Sequence, residues 1–424
     1  MKQKSRLRIL TTAAAAALAL VLSACTASPP ALLRADGVER VSVDRSGYPA
    51  ELATLRASAR KLGAALLADS GDAGNVVASP TSLLVALAML RTGASGATAA
   101  EMDRVLGLPA EHRDEALNAL LTSLEAFDGD PGSVDEKNPP GRPVLHAANG
   151  LFVDKGVPTG EPYLDSLARY YGTGVYPVDF QDEKATRPAI DAWVNKNTGG
   201  RIKKAPAGYS KDNTFSVLNA VYFASAWKVP FDPTDTADRP FTTADGLQVT
   251  VPTMSGVRDL SFAQGKGWQG VDLPYADGFV MRLVLPDSGA PMPGADVFAD
   301  ATSALEAAAP VPTQIFLPRW DHQSSFELRK VFARLGLREM LETASDFNAV
   351  QPGLQITQAA QAVNITVAEK GTVAAAVTQI NAEAVSGAVQ TKAIRFDRPF
   401  LYEIVHVETG LPVFMGRVSD PSPS

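Results

Sequence analysis

The spacing of apolar positions predicts both helices and strands along this chain. Leu52, Leu55, Leu62 and Leu66 fall on one face of a helix that should end near Gly71. The helical pattern recurs over residues 163–171, 185–197 and 325–340. Runs of β-branched and aromatic residues predict strands over 144–153, 215–224, 270–273, 279–285, 313–317, 362–368, 393–406 and 411–418. Because helices and strands follow one another in no regular order, the pattern favours an α+β fold over a doubly wound sheet or barrel.

One stretch near the carboxyl end, residues 369–386, has the pattern of a strand where a long loop is expected. It follows the predicted strand 362–368 and consists mainly of Ala, Val, Thr and Ser. Alternate positions form a small and largely apolar face, made of Thr372, Ala374, Ala376, Thr378, Ile380 and Ala382. The segment could therefore enter a sheet, with Gly371 as its hinge. Taken alone, the stretch could also be an alanine-rich linker.

At these residues the sequence resembles the serpins, whose hinge reads Glu-x-Gly-Thr followed by a run of small residues. The matching hinge positions are Glu369, Gly371, Thr372, Ala374, Ala375 and Ala376. The resemblance implies mixed helices around a large central β-sheet, with further sheets and an exposed reactive loop at about residues 371–392. It also implies a suicide-substrate inhibitor of serine proteases, whose cleaved loop inserts into the central sheet and traps the acyl-enzyme.

The resemblance extends over about 370 residues and implies a cluster that controls the opening of the central sheet. The members of this sheet-opening cluster are Ser79, Ser82, Asn219, Gln361 and Trp227. Many serpins have a histidine at the position of Gln361. A glutamine amide can donate and accept hydrogen bonds there, but it does not titrate. Further matching segments are Leu273-Pro274-Tyr275 and Leu317-Pro318-Arg319-Trp320.

The resemblance also implies a bait bond about fourteen residues beyond the hinge glycine, between Val385 and Ser386. No Lys or Arg occurs between Lys370 and Lys392. Elastase-like or subtilisin-like proteases are therefore the expected targets, since a trypsin-like pocket needs a cationic side chain. The loop is a few residues longer than is usual in the family, so the acyl group could instead come from Glu383, Ala384 or Ala388.

The amino terminus predicts export and a lipid anchor. A basic segment and an apolar run over residues 9–22 lead to Leu22-Ser23-Ala24-Cys25. This pattern resembles a bacterial lipoprotein signal over residues 1–24, with Cys25 lipidated and the protein held outside the cell membrane. A plain secretory peptide is the alternative. Residues 25–50 are expected to be a flexible tether, and residues 51–420 a single domain.

Cysteine content and net charge limit the disulfides and the partners that this protein can have. Cys25 is the only cysteine, so no intrachain disulfide can form. Loss of residues 1–24 removes four positive charges and takes the formal net charge from −7 to −11. Nucleic acid is therefore not an expected partner.

Motifs for catalysis and for cofactors are weak. The four histidines have no metal-ligand spacing, and no Gly-x-Ser-x-Gly elbow occurs. The glycine pattern over residues 265–270 precedes a predicted strand and lacks the helix that a dinucleotide needs. We therefore expect neither an enzyme nor a bound cofactor or metal, and we expect a monomer. The rival functions are a non-inhibitory serpin-fold binding protein or chaperone, and a solute-binding lipoprotein.

Overall fold

The computed structural model describes residues 27–71, 74–135, 137–206, 209–372 and 391–422. Its α-helices are α1 (Pro49–Asp69), α2 (Pro80–Thr92), α3 (Gly96–Leu106), α4 (Arg113–Glu125), α5 (Glu161–Ser166), α6 (Glu183–Asn197), α7 (Val297–Ala307), α8 (Leu328–Leu335) and α9 (Glu339–Glu342). A π-helical segment, Leu167–Tyr171, continues α5. Its strands are β1 (Val76–Ala78), β2 (Val144–Asp154), β3 (Tyr176–Val178), β4 (Phe215–Ala226), β5 (Ala237–Thr242), β6 (Gln248–Gly265), β7 (Trp268–Pro274), β8 (Phe279–Pro286), β9 (Pro310–Pro318), β10 (Trp320–Glu327), β11 (Ile356–Ala368), β12 (Gly371–Thr372), β13 (Lys392–Arg395), β14 (Phe400–His406) and β15 (Leu411–Val418).

The strands of the described residues form two mixed sheets. The central sheet has six strands in the order β10-β11-β12-β4-β2-β3. The second sheet has nine strands, in the order β1-β15-β14-β8-β7-β6-β9-β13, with β5 added beside β6. In the central sheet, β11 runs parallel to β4 while β12 is antiparallel to both. The predicted α+β fold is confirmed.

Helix α2 is buried on all sides because it lies between the two sheets. Every residue from Pro80 to Leu90 is buried, and the helix packs against β2, β4 and β15. A helix that is apolar all round needs such an enclosed position. Its first turn, which carries Ser82 and follows the extended residue Ser79, therefore lies directly beneath the central sheet.

Two predicted elements are each divided in the structure, and the strand predicted over 362–368 begins six residues earlier, at Ile356. The helix predicted over 325–340 is the end of β10 followed by two short helices, because Gly336 ends α8 with a φ of 94°. The strand predicted over 393–406 is two strands, since β13 pairs with β9 and β14 pairs with β8 and β15. Pro399 lies between them and has no N–H to donate to a ladder.

Part of the predicted tether lies against the domain, in contrast to the free segment expected for residues 25–50. The backbone of Leu33 exchanges hydrogen bonds of 2.8 and 2.9 Å with that of Val175. The buried Asn118 accepts a hydrogen bond of 3.0 Å from Val43 N and donates one of 2.9 Å to Val41 O. Cys25 and the predicted signal fall outside the described residues. Within the described part of the chain, no helix has both the length and the apolar character needed to cross a bilayer.

A buried histidine in β10 makes stability depend on pH. His322 is 6% exposed, and burial lowers its pKa to about 4, although Asp321 and Asp420 act in the opposite direction. The unfolded chain binds a proton near the ordinary histidine pKa of about 6.5. The folded protein does not bind that proton until about pH 4. The contribution of His322 to stability is therefore fully present above pH ~6.5 and is lost as the pH falls toward ~4.

The variant His322→Asn tests this origin of acid sensitivity. We expect its free energy of unfolding to fall by about 1–2 kcal/mol less than that of the wild type between pH ~7.5 and ~5. Urea denaturation at both pH values measures the difference. The exposed His112, changed to Asn, is the control and should behave as the wild type. An unchanged pH dependence in His322→Asn would assign the acid sensitivity to other groups.

Candidate functional site

The predicted hinge lies where β4 and β11 separate. These strands pair in parallel from Ile356 opposite Phe215 to Val363 opposite Val221. Beyond that point β12 lies between them, with Thr372 opposite both Ser225 and Val367. The first two residues of the implied reactive loop are thus already a strand of the central sheet. Residues 373–390, which include Ala374, Ala375, Ala376, Val385 and Ser386, fall outside the described residues.

Gly371 is required here by a close backbone approach. A Cβ built on it would lie 2.1 Å from Ser225 O and 2.8 Å from the Cα of Ala226. Any larger residue would push β12 away from β4. The sequence predicted Gly371 as a point of flexibility, and the structure adds this packing reason for a glycine.

The side chain of Thr372 points into the interior and is fully buried. Its Oγ1 lies 2.5 Å from the hydroxyl oxygen of Tyr275. Burial raises the pKa of Tyr275 well above its ordinary value, so the phenol keeps its proton at neutral pH. The pair is a hydrogen bond between two uncharged groups. A small neutral side chain is therefore accommodated at this position, whereas a charged one would lose its hydration without gaining a partner.

Trp227 fixes the turn between β11 and β12. Its indole Nε1 donates a hydrogen bond of 2.9 Å to Ala368 O, and its backbone N donates one of 2.8 Å to Lys370 O. Its ring stacks on Tyr275 with the centroids 4.4 Å apart. Trp227 thus holds the turn at Ala368 and at Lys370, and it also holds Tyr275, the hydrogen-bond partner of Thr372.

Glu369 makes the charged contact of this turn. It is 6% exposed and accepts a hydrogen bond of 2.6 Å from Arg319 Nε, while a second guanidinium nitrogen of Arg319 also contacts the same carboxylate oxygen. Thr236 Oγ1 donates to that oxygen at 2.7 Å. The carboxylate therefore joins β11 to the end of β9 and to the segment before β5.

The cluster beneath the central sheet is a chain of uncharged amides and hydroxyls. Gln361 accepts a hydrogen bond of 2.9 Å from Ser79 N and donates one of 2.6 Å to Asn219 Oδ1. Asn219 in turn donates to Ser82 Oγ and to Asn149 Oδ1. The structure thus brings together Ser79, Ser82, Asn219 and Gln361 as the resemblance implied. None of these side chains titrates near neutral pH.

Trp227 does not belong to this cluster, which corrects the set predicted from the sequence. It lies eight residues beyond Asn219 along β4, or about 26 Å at the rise of an extended strand. The residues predicted as one cluster therefore lie at two separate places along the sheet. One is the amide cluster below the paired part of β4 and β11, and the other is the hinge end, held by Trp227.

Three residues of the hinge end were not predicted as functional, namely Arg319, Tyr275 and Thr236. Arg319 and Tyr275 lie in segments whose resemblance to the serpins was noted without a role for either residue. Thr236 lies in no such segment. Its proximity to Glu369 depends on a contact between residues 133 positions apart in the sequence.

A family model for serpins, the serine protease inhibitors, matches residues 57–421. The chain belongs to the serpin family. An uncharacterised serpin-like protein of Thermococcus kodakarensis is 32% identical to it over 362 residues, which cover 83% of this chain and 82% of that protein. Alpha-1-antitrypsin 1-3 of Mus musculus is 28% identical over 373 residues, with 84% and 86% covered.

Solved structures show the same fold. The thermophilic serpin tengpin in its native state matches with a TM-score of 0.77 and 23% identity, covering 92% of this chain and 100% of tengpin. Thyroxine-binding globulin in complex with thyroxine matches with a TM-score of 0.74 and 22% identity, covering 88% and 99%. The predicted serpin fold, with helices around a large mixed central sheet and an additional sheet, is confirmed.

The contribution of the Glu369–Arg319 ion pair to stability can be compared with that of an exposed ion pair. Arg319→Met leaves the buried carboxylate of Glu369 without its cation, so we expect the free energy of unfolding to fall by about 1–3 kcal/mol. Arg187→Met removes an exposed pair with Glu183 on α6 and should cost about 0.5 kcal/mol or less. Urea denaturation of both variants gives the comparison. Equal losses in the free energy of unfolding would show that the burial of Glu369 does not strengthen its ion pair.

Proposed function

We propose that this serpin inhibits serine proteases as a suicide substrate, by inserting its cleaved reactive loop between β4 and β11. The observation that carries the proposal is the position of Thr372. Its strand is antiparallel to both neighbours, so a chain that continues from it runs back down between them. Each further residue of β12 would replace one pairing of β4 with β11 by two new pairings, one with each of these strands.

The register of β12 supports this proposal. Thr372 lies opposite Ser225 on β4 and opposite Val367 on β11. A strand continuing without a bulge would bring position 378 opposite Asn219 on one side and opposite Gln361 on the other. These two residues are themselves neighbours across the paired part of the sheet. Insertion would therefore separate the amides of the cluster and put the hydroxyl of Thr378 between them.

The energetics favour insertion once the loop is cut. The strand β4 now pairs with β11 in a parallel ladder, which is slightly less stable per residue than an antiparallel one. Insertion of about ten residues would give two antiparallel ladders, at a net gain of roughly 1 kcal/mol for each added hydrogen bond. In the intact protein the loop is joined at both ends. Its far end is held by the pairing of β13 with β9, so the intact loop cannot run its full length down between β4 and β11 unless that pairing also breaks.

The chemistry of the trap belongs to the protease. Its serine attacks the carbonyl carbon of the bait residue, the peptide bond to the next residue breaks, and the released amine takes up the proton. We propose Val385 as the residue acylated and Ser386 as the new amino terminus. Insertion then removes the acyl ester from the geometry that water needs for deacylation. Valine fits the shallow pockets of elastase-like or subtilisin-like enzymes.

The experiment for this function is incubation of the protein with a panel of serine proteases, followed by denaturing electrophoresis. We expect a covalent band of the summed mass with an elastase-like or subtilisin-like enzyme, and a released peptide that begins at Ser386. A start at a nearby loop residue would move the bait bond. Cleavage without any covalent band would instead favour a non-inhibitory binding protein.

The variant Thr372→Arg tests insertion directly. The side chain of Thr372 is buried against Tyr275, so a charge there costs several kcal/mol and should slow insertion below deacylation. We expect the protease to cleave this variant and to recover its activity. Val373→Arg is the matched control, because the next residue of a strand faces the other side of the sheet. Equal trapping by both variants would contradict the mechanism.

We further propose that the protein is exported and anchored through lipid on Cys25. The lipoprotein-like segment that ends at this cysteine supports the proposal. Cys25→Ser should move the protein from the membrane fraction to the soluble one and leave protease trapping unchanged. Fractionation of cells and mass spectrometry of the amino-terminal peptide measure this. A wild-type protein without lipid would rule out the anchor.

A further inference from the structure

A cavity of about 510 Å³ opens beside the hinge end of the central sheet. Its walls come from the end of β4, the connection to β5 over residues 229–235, the middle of β6 over residues 255–258, and Lys370 in the turn before β12. The volume lies within the range of small-molecule sites. Neither the amide cluster nor the side chain of Thr372 lines it, so protease trapping as proposed above leaves the cavity without a role.

The inner wall of the cavity carries a buried cation, Arg258. This residue is only 9% exposed, and its guanidinium carbon lies 3.7 Å from the centroid of the Phe231 ring. Nε donates to Val229 O at 3.1 Å, and Nη2 donates to Pro230 O at 2.7 Å. Burial lowers the pKa of Arg258 to about 10, which leaves it charged at neutral pH.

The remaining guanidinium nitrogen, Nη1, has no hydrogen-bond acceptor among the described residues. It lies over Gly256, where an added Cβ would come within 2.3 Å of it, so the glycine keeps this space open. None of the described carboxylates lies within 4.0 Å of Arg258. Asp235 acts on it electrostatically but is itself exposed to solvent. An enclosed guanidinium whose Nη1 has no acceptor among the described residues can donate to an anionic oxygen that enters the cavity.

Two exposed valines line the cavity beside its polar residues. Val229 is 55% exposed and Val257 is 59% exposed, and both line the opening. Large exposed apolar side chains are uncommon in the described part of this chain, and two of them line this cavity. The other acidic residue of the wall, Asp232, is turned toward Thr234, whose N and Oγ1 donate to it at 2.8 and 2.7 Å. Its carboxylate is therefore already satisfied.

We propose that this cavity is a binding site for a monocarboxylate with a short apolar body. The carboxylate accepts from Nη1 of Arg258, and the apolar body lies along Val229 and Val257. The assignment does not depend on inhibition of a protease. Its test is a binding measurement that needs no protease, so failure here and failure of the inhibitory function are separate results.

Octanoate is the probe, with octan-1-ol and octylamine as ligands of similar length that lack the negative charge. Isothermal titration calorimetry with the protein should show binding of octanoate that is at least about tenfold tighter than that of either control ligand. Arg258→Met should weaken octanoate binding about tenfold or more, since it removes the charged donor. Arg258 also contacts Phe231 and two carbonyl oxygens, so cooperative thermal unfolding of this variant is required before its binding is measured.

Val257→Glu is the second variant, because its exposed side chain can be changed without disturbing the interior. A negative charge at the rim should weaken octanoate binding several-fold and leave octylamine binding equal or stronger. Val407→Glu is the matched control, at an exposed valine that does not line the cavity, and should bind octanoate as the wild type does. The proposal is overturned if octanoate does not bind, binds no better than octan-1-ol, or binds equally to Val257→Glu and Val407→Glu.

Discussion

The parallel pairing of β4 with β11 is the contact on which the rest of this structure depends. It closes the lower part of the central sheet from Phe215 to Val221. Above it the two strands separate, and β12 already lies in the space between them. The sheet is thus closed at one end and occupied at the other by the first residues of a long segment. The proposed insertion step consists of extending β12 at the expense of the parallel pairing.

The two ends of this sheet are stabilised by different physical means. At the closed end the contacts are neutral amide and hydroxyl hydrogen bonds around Gln361 and Asn219, which change little with pH. At the hinge end the contacts are aromatic and ionic, through Trp227, Tyr275 and the pair of Glu369 with Arg319. An inserted strand must break the first set and keep the second. The amide cluster can be broken at low cost because a hydroxyl from the inserted strand can replace the lost partner.

Much of the fold could be predicted from local patterns, because strands with strong β-branched and aromatic content carry their own signal. The strand over residues 411–418 is one example, since its predicted limits are those of β15. Where a local signal was ambiguous the prediction was wrong. Residues 325–327 fit a helical period, yet they pair with β11 as the end of β10. Tertiary pairing overrides a weak local preference there.

The candidate site was predicted only in part, for a related reason. The resemblance to the serpins supplied Gln361, Asn219 and the two serines, which the structure brings into one cluster. It did not supply the partner of Glu369, because an ion pair between residues 50 positions apart leaves no periodic pattern in the sequence. The cavity beside Arg258 is likewise invisible in the sequence, since a buried arginine is recognised as unpaired only when its neighbours are known.

Thermal unfolding before and after cleavage of the loop is the most direct test of the central claim. A protease that is used in catalytic amounts and then inactivated can cut the chain near the proposed bait bond, between residues 382 and 390, without leaving a covalent complex. If the freed segment inserts between β4 and β11, the cut protein should unfold at a markedly higher temperature than the intact one, because it gains a central strand. An unchanged or lower unfolding temperature would contradict insertion and with it the proposed trapping mechanism.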